Sequence, residues 1–343
     1  MNIRDIARLA NVTPGTVSKV LNNYPDISEA TRQHVLQIIA ESKYAPNNSA
    51  RSLKLATKIP TIALISEGVN NNLTEDMMEM LSIRFHNADH TILSFHDNYF
   101  VQDKKEKFEE LLSYATRHGL TGMIYFGGDF KDIPAQMFSS LPCPVIFVNT
   151  RLPGGPLTDV CSSVQTDHYE TARHQMEYLI ARGHQNICML ITSVIDTSVY
   201  HLRWEAGRDV LKSHGLNDSL VAESDYRCGR GYRELTALLE KHPEITAIYC
   251  TADVMAAAAI RAIHDVGKIP GKDISIISFD GMEALQYYTP SITTYAQPTE
   301  EMMNYTYDLL MGLMNGTRQH QHITFQAKLS EQESVADIRE HIS

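Results

Sequence analysis

The sequence predicts a small all-α head followed by an α/β body of two successive lobes, each with a doubly wound parallel sheet. Three observations carry this reading. Residues 1–58 hold three short helical patterns, the first two joined by a three-residue turn. From Thr61 onward, apolar runs alternate with amphipathic segments, as a βα series requires. The chain has 343 residues, more than one ordinary domain holds.

In the head, Asn2 is placed to cap a first helix carrying Ile3, Ile6, Leu9 and Ala10 at helical spacing, which ends near Asn11. Thr13 caps the second. Pro14 suits its first position, where the missing N–H is no loss, and Val17, Val20 and Leu21 form its inner face. A third helix runs from the cap Ser28 through Val35, Ile38, Ile39 and Ser42 and stops before Pro46. Together they form a helix-turn-helix arrangement. The stretch PNNSARSLKLATKIP, 46–60, is polar and basic and is read as a linker or conditional helix.

The body opens with TIALIS, a helix from Met77 to Phe85, TILSF, a helix from Phe108 to Ala115, GMIYF and PVIFV. A second series follows: a helix from His168 to Ala181, NICMLI, helices from Arg203 to Lys212 and Tyr232 to Leu239, AIYCT, a helix from Val254 to Val266, and ISIISF. ITTYA, a helix from Glu300 to Met314, and HITFQAKL are candidates to cross back between lobes.

Charge sets the head apart. The whole chain has a net charge of −11, yet residues 1–58 carry Arg4, Arg8, Lys19, Arg32, Lys43, Arg51, Lys54 and Lys58 against only Asp5, Asp26, Glu29 and Glu41. A basic head on an acidic body suits a DNA-binding protein whose phosphate contacts come from the head alone. The charged start MNIRDIARLA and the lack of any apolar run near the ~18 residues of a membrane span point to a cytoplasmic protein with no membrane partner. Scattered Cys143, Cys161, Cys188, Cys228 and Cys250 fit reduced core residues. The histidines, including the late pair His320 and His322, lack metal-ligand spacing, and no nucleophile elbow, phosphate loop or dinucleotide fingerprint occurs. No metal, cofactor or catalytic residue is expected, and the chain is read as a non-enzyme.

These residues resemble the lactose/galactose repressor (LacI/GalR) family of bacterial transcription regulators. The matching stretches are IRDIARLANVTPGTVSKVLN at 3–22, YAPNNSARSLK at 44–54, LIARGHQNI at 179–187, ISIISFDG at 274–281 and TTYAQP at 293–298. The resemblance covers nearly the whole chain. It implies a helix-turn-helix head with a hinge helix at about 46–55, and an effector-binding and dimerisation body, 60–333, of periplasmic-binding-protein type. The lobes are then expected at 60–163 plus 296–320 and at 164–292 plus 321–333, with a tail at 334–343. The implied partners are near-palindromic double-stranded operator DNA, a small-molecule effector held between the lobes, and a second copy of the chain in a homodimer, with a tetramer open.

Carried over position by position, the DNA contacts are Asn2, Thr13, Pro14, Gly15, Thr16, Ser18, Lys19, Asn22, Tyr44, Asn47, Ala50 and Leu53. In the family the positions of Pro14, Gly15 and Lys19 read bases; Pro14 and Gly15 offer no side-chain hydrogen bond and either make apolar contacts or serve only as helix start and filler, so Lys19 is the one long donor among them, a point charge without arginine's fork. Leu53 is either a wedge between base steps in the minor groove or a plain linker residue; the surrounding match favours the wedge. The effector contacts are Glu67, Asn149, Arg203, Tyr226 and Asp280. Asp280 and Arg203 suit the paired hydroxyls of a sugar, although an arginine at a helix start also serves in ordinary salt bridges. Tyr226 either stacks on a ring or is a half-buried strand-end aromatic. Asp253 is read as an N-cap, and Ala252 departs from the asparagine many relatives carry. The expected function is a DNA-binding transcription regulator, a repressor, controlled by a sugar or sugar derivative. A nucleobase or nucleoside is the alternative effector, and a sugar-binding protein without a DNA role the more distant one.

Overall fold

The computed structural model describes residues 3–21, 27–41, 59–67, 72–97, 103–154, 160–194, 198–224 and 228–339. The chain divides into two units, Met1–Ile59 and Pro60–Ser343. The first holds α1 (Ile3–Leu9), α2 (Pro14–Leu21) and α3 (Glu29–Glu41). Asn11 ends the first of these at φ 51, a left-handed conformation that asparagine tolerates, and the Val12 N–H returns to the Ala7 carbonyl at 2.9 Å. The Thr16 N–H donates to Thr13 Oγ1 at 3.1 Å and the Thr31 N–H to Ser28 Oγ at 3.3 Å, so both expected caps form.

Ile6, Ala7, Ala10, Val17, Val20 and Val35 make the core of this unit, with Val12, Ile27, Ile38 and Ile39 packed against it. Leu9, expected inside, is 59% exposed. At 3.6 residues per turn it lies roughly 100° from the centre of the stripe that Ile6, Ala7 and Ala10 form.

The second unit contains two six-stranded sheets. The first has the order β11-β5-β4-β3-β1-β2, all neighbours parallel: β1 (Thr61–Glu67), β2 (Thr91–Asp97), β3 (Gly122–Phe126), β4 (Val145–Val148), β5 (Ser162–Thr166) and β11 (His322–Phe325). The second has the order β12-β10-β9-β8-β6-β7: β6 (Ile187–Ile191), β7 (Val221–Glu223), β8 (Ala247–Cys250), β9 (Ser275–Asp280), β10 (Thr293–Ala296) and β12 (Lys328–Ser330). Only β12 runs antiparallel to its neighbour. Helices α4 (Asn72–Asn87), α5 (Lys104–His118), α6 (Ala135–Phe138), α7 (His168–Ala181), α8 (Val199–Ser213), α9 (Cys228–Lys241), α10 (Ala256–Asp265) and α11 (Thr299–Met314) accompany them.

Alternation along each strand explains the unbroken apolar runs. Ile62 and Leu64 join one core with Met77, Leu81, Met302 and Leu310, while Ala63 and Ile65 join another with Phe108, Leu111 and Ala115. In the second sheet Cys188 and Leu190 pack with Leu235 and Ala259, and Met189 and Ile191 with Met176 and Val210. Sheets covered on both faces leave no polar side to read as period two.

The structure moves the expected lobe boundaries. Val164 to Thr166 and His322 to Phe325, expected in the second lobe, belong to the first sheet, and Ala296, expected in the first, ends a strand of the second. Strand β5 reads SSVQT and carries no apolar signal, because its hydroxyls bond rather than pack: Ser162 Oγ lies 3.0 Å from His320 Nδ1 and Ser163 Oγ 2.8 Å from His322 Nδ1. His322 therefore opens β11, and His320 lies two residues before it.

The segment from Ser334, expected as a tail, is bonded into the second lobe as far as Arg339. Ser334 is buried and its Oγ donates to the Ile276 carbonyl at 2.6 Å, and the Ile338 N–H donates to the Arg182 carbonyl at 2.9 Å. All five cysteines are free; Cys161, Cys188 and Cys250 are buried as expected, but Cys228 is exposed.

Candidate functional site

Parallel sheets present the carboxyl ends of their strands on one side, where the backbone leaves regular pairing and side chains are free to converge. Four such ends meet in this body: Asn149 follows β4, Thr166 ends β5, Asp280 ends β9 and Gln297 follows β10. Asn149 Nδ2 donates to Gln297 Oε1 at 2.9 Å, and Gln297 Nε2 donates to Asp280 Oδ1 at 2.8 Å, so a first-sheet strand end is linked to a second-sheet strand end through two amides. Asn149 (φ 48) and Asp280 (φ 138) both have positive φ; asparagine tolerates the left-handed region, but Asp280 lies outside it, an arrangement that costs about 1–3 kcal/mol and persists only where the surroundings enforce it.

Arg203, on α8, is 1% exposed, and its guanidinium lies 3.0 Å from Asp280 Oδ1. It also donates to the Thr251 carbonyl at 2.7 Å and stacks over Phe279 with 3.6 Å to the ring centroid. Burial pushes the Asp280 carboxyl up from its ordinary value, against the opposing pull of Arg203 and Gln297. His168 lies between Arg203 and Asn149, and burial followed by the adjacent guanidinium holds its pKa well below the usual imidazole range. It is neutral at pH 7.

Asp253, read from sequence as an N-cap, instead bonds across the sheet. It accepts from the Gly281 and Met282 N–H groups at 2.7 Å each, from Thr294 Oγ1 at 2.8 Å and from Ser278 Oγ. A cap bonds its own helix; here the loop after β9 supplies the donors and is held in shape by them. Burial and the charge of Asp280 push its pKa up to about 6.

The native state therefore binds this proton more readily than the unfolded chain, whose aspartate titrates near ~3.9. This group's contribution to stability is greatest below about pH 4 and is lost as pH rises through 6. Asp253→Asn removes the titration. Urea unfolding of both proteins across this range is expected to show the difference in stability moving in the variant's favour as pH rises.

Of the other expected residues, Glu67 is spent within the first lobe. Its carboxylate is 2.8 Å from the buried Lys107 Nζ and 3.4 Å from Lys104 Nζ, and accepts from Tyr125 OH at 3.2 Å. A Cβ on Gly128 would sit 2.0 Å from Glu67 Oε2, so a glycine is needed there for close approach. Tyr226 lies outside the described residues, as do Asn2, Asn22, Tyr44, Asn47, Ala50 and Leu53. In the head, Pro14, Gly15, Thr16, Ser18 and Lys19 fall on α2 with Thr13 as its cap, and Lys19 is exposed.

Sequence reasoning joined Asn149, Arg203 and Asp280 correctly in space but missed His168, Thr166 and Gln297, which connect them. The stretch TTYAQP contained Gln297, and Asp167 marked a helix start beside His168; neither signal says that the side chains face each other. Among the described residues, no group of three His, Cys, Asp or Glu is placed to hold a metal ion, and no helix is long and apolar enough to cross a membrane.

Comparison with known proteins agrees with this architecture. Residues 2–47 match the model for bacterial regulatory proteins of the lacI family, and residues 176–335 that for a periplasmic binding protein-like domain. The HTH-type transcriptional regulator MalR of Clostridium butyricum is 35% identical over 98% of this chain and 100% of its own length. The fold is shared with a lac repressor dimer bound to operator and an anti-inducer, at a TM-score of 0.72 and 21% identity, covering 98% of this chain and 99% of that one. It is shared also with the transcriptional regulator CelR in complex with cellobiose, at a TM-score of 0.66 and 23% identity, covering 97% and 99%. With a helix-turn-helix head, two parallel-sheet lobes and a full-length relative at that identity, the chain belongs to the lacI family of bacterial regulatory proteins and is a DNA-binding transcription regulator.

Proposed function

We propose that this regulator is a cytoplasmic repressor, acting as a dimer on a near-palindromic operator, whose DNA affinity is set by a sugar or sugar derivative bound between the lobes. The observation that carries the effector reading is the convergence of Asn149, Arg203 and Asp280 at the strand ends where the lobes meet, with two positive-φ residues among them. A carboxylate, a guanidinium and amides at one junction suit paired hydroxyls, each of which both donates and accepts. The cellobiose complex of the structurally similar CelR supports a sugar over a nucleobase. Tyr226 is proposed as the stacking aromatic. Glu67 anchors Lys104 and Lys107 instead of meeting the effector directly.

On DNA, α2 enters the major groove with Thr13, Thr16 and Ser18 holding phosphates and Pro14, Gly15 and Lys19 facing bases, helped by Asn2, Asn22 and Tyr44. Asn47, Ala50 and the wedge Leu53 enter the minor groove. With one long donor on the reading helix, specificity leans on the hinge, on DNA shape and on the pairing of two heads. No catalytic role is assigned to any residue.

Gel-shift titration of the purified protein on its own upstream DNA, with and without a panel of sugars and nucleosides, tests the reading. Retardation that one sugar changes is expected, and none under any ligand or salt condition would overturn it. Lys19→Ala is expected to weaken binding to that DNA roughly tenfold, the lower end of the range for a base contact because lysine lacks a second parallel donor. Fluorescence anisotropy on the same fragment and on a scrambled one separates loss of base reading from loss of phosphate attraction.

A further inference from the structure

The contacts of Arg203, His168, Asn149, Gln297 and Asp280 close on themselves. Arg203 reaches His168 Nδ1 from Nε at 3.3 Å and from Nη2 at 3.2 Å. His168 Nε2 lies 3.1 Å from Asn149 Oδ1, Asn149 Nδ2 donates to Gln297 Oε1 at 2.9 Å, Gln297 Nε2 donates to Asp280 Oδ1 at 2.8 Å, and Asp280 Oδ1 returns to Arg203 at 3.0 Å.

Donor and acceptor identities around the ring follow from one fact: a guanidinium only donates. His168 Nδ1 must then accept, so its proton sits on Nε2 and is donated to Asn149 Oδ1. That oxygen also takes the Thr166 N–H at 3.0 Å, which fixes the asparagine amide the same way round. The asparagine NH2 then faces Gln297 Oε1, where the Thr166 hydroxyl donates at 2.8 Å, and the glutamine NH2 is left to face the carboxylate. No member can be turned over without breaking a neighbour's bond. The members come from both lobes: Asn149 from a strand end of the first sheet, Asp280 and Gln297 from strand ends of the second, Arg203 and His168 from helices of the second-lobe layer, with Thr166 of the first sheet bonded to the ring from outside. His168 packs flat against Phe279 at 5.8 Å between centroids, inside the second lobe, while its Nε2 reaches the first.

We propose that His168 is the positioning residue of an interlobe latch: as a neutral imidazole protonated on Nε2, it closes a five-residue hydrogen-bond ring that holds the two lobes in one register. Given the effector site proposed above, an effector entering at Arg203 and Asp280 acts by taking over bonds of this ring. Such a closed set of bonds is a two-state element, since losing one bond orphans groups on both sides.

Two variants of the full-length protein test it. His168→Phe keeps the stack on Phe279 and deletes the acceptor for Arg203 and the donor for Asn149. Asn149→Asp keeps the size and both accepted bonds but has no donor for Gln297, so it breaks the ring without emptying it and serves where the phenylalanine variant does not fold. Hydrogen-exchange mass spectrometry is expected to show peptides spanning 164–168 and 294–299 exchanging roughly ten- to hundredfold faster in both variants, with the head unchanged. Nitrogen-15 spectra of labelled histidine at pH 7 should show a ring with bare Nδ1 and protonated Nε2 that is missing from His168→Phe.

Unchanged exchange in Asn149→Asp, or a doubly protonated His168 at neutral pH, overturns the latch. With maltose and cellobiose as probes, a sugar that shifts operator affinity in the wild type is expected to shift it much less in either variant, and an equal shift overturns the effector's action through the ring. A wild type that answers no probe counts against the effector site, while exchange alone then decides the latch.

Discussion

Asp280→Ala is expected to lower the stability of the body by about 3–5 kcal/mol, the range for removing one partner of a buried ion pair. The size of the effect comes from what is left behind. Arg203 is buried, and its guanidinium loses the only carboxylate within 4 Å among the described contacts while remaining stacked on Phe279 and packed beside Tyr200. Gln297 loses the acceptor for its amide at the same time.

The double variant Arg203→Met, Asp280→Ala is expected to recover part of that loss, because a thioether needs no counter-charge and fills much of the arginine stem's volume. Urea unfolding of the wild type, both single variants and the double variant gives a coupling energy expected near ~1–3 kcal/mol. A loss of under ~1 kcal/mol in Asp280→Ala would mean that the pair is solvated in solution. Operator response to the effector is expected to disappear in both single variants.

The second large effect is expected at the neighbouring glycine. Gly281 has φ +87, and a Cβ there would lie 2.4 Å from Ala296 Cβ and 2.6 Å from Ala296 Cα. The obstacle is backbone of β10, whose Ala296 is in register with Asp280 of β9, so it moves only by breaking the sheet. Gly281→Ala is expected to cost about 2–5 kcal/mol, combining left-handed strain with overpacking. Gly267→Ala is the control: at φ +78 with nothing within 4 Å of its would-be Cβ, it bears the strain alone, about 1–2 kcal/mol. Thermal unfolding separates the two. Equal losses would show that β10 yields to the methyl group.

The tie between Asp253, which follows β8, and the Asp280–Gly281 turn at the end of β9 explains why these effects are large. The Asp253 carboxylate holds the Gly281 and Met282 N–H groups, which forces the chain through positive φ at both Asp280 and Gly281 and aims the Asp280 side chain at Arg203. Strain at the loop is balanced by bonds from Ser278 and Thr294 on two strands. A change at any of these positions is expected to reach the lobe junction, although only Asp280 and Arg203 stand in it.

Local chemistry in the chain determined a good deal. Thr13 and Ser28 sit before their helices because a hydroxyl there meets an N–H three residues on, and the apolar runs became parallel strands because sheets covered on both faces need both sets of alternating side chains apolar. The family resemblance, carried over position by position, placed Asn149, Arg203 and Asp280 near one another. What only the tertiary structure decided is where polar groups spend their bonds. SSVQT is a strand because His320, His322 and Gln297 arrive from distant parts of the chain to satisfy its hydroxyls. Glu67 is tied to Lys107, Asp253 to the loop after β9, and Arg203 to His168 and Asp280, none of which follows from spacing. Helix and strand periodicity arise from contacts a few residues apart, whereas a buried donor takes whichever acceptor the converging strand ends bring within reach, and that convergence is a property of the whole body.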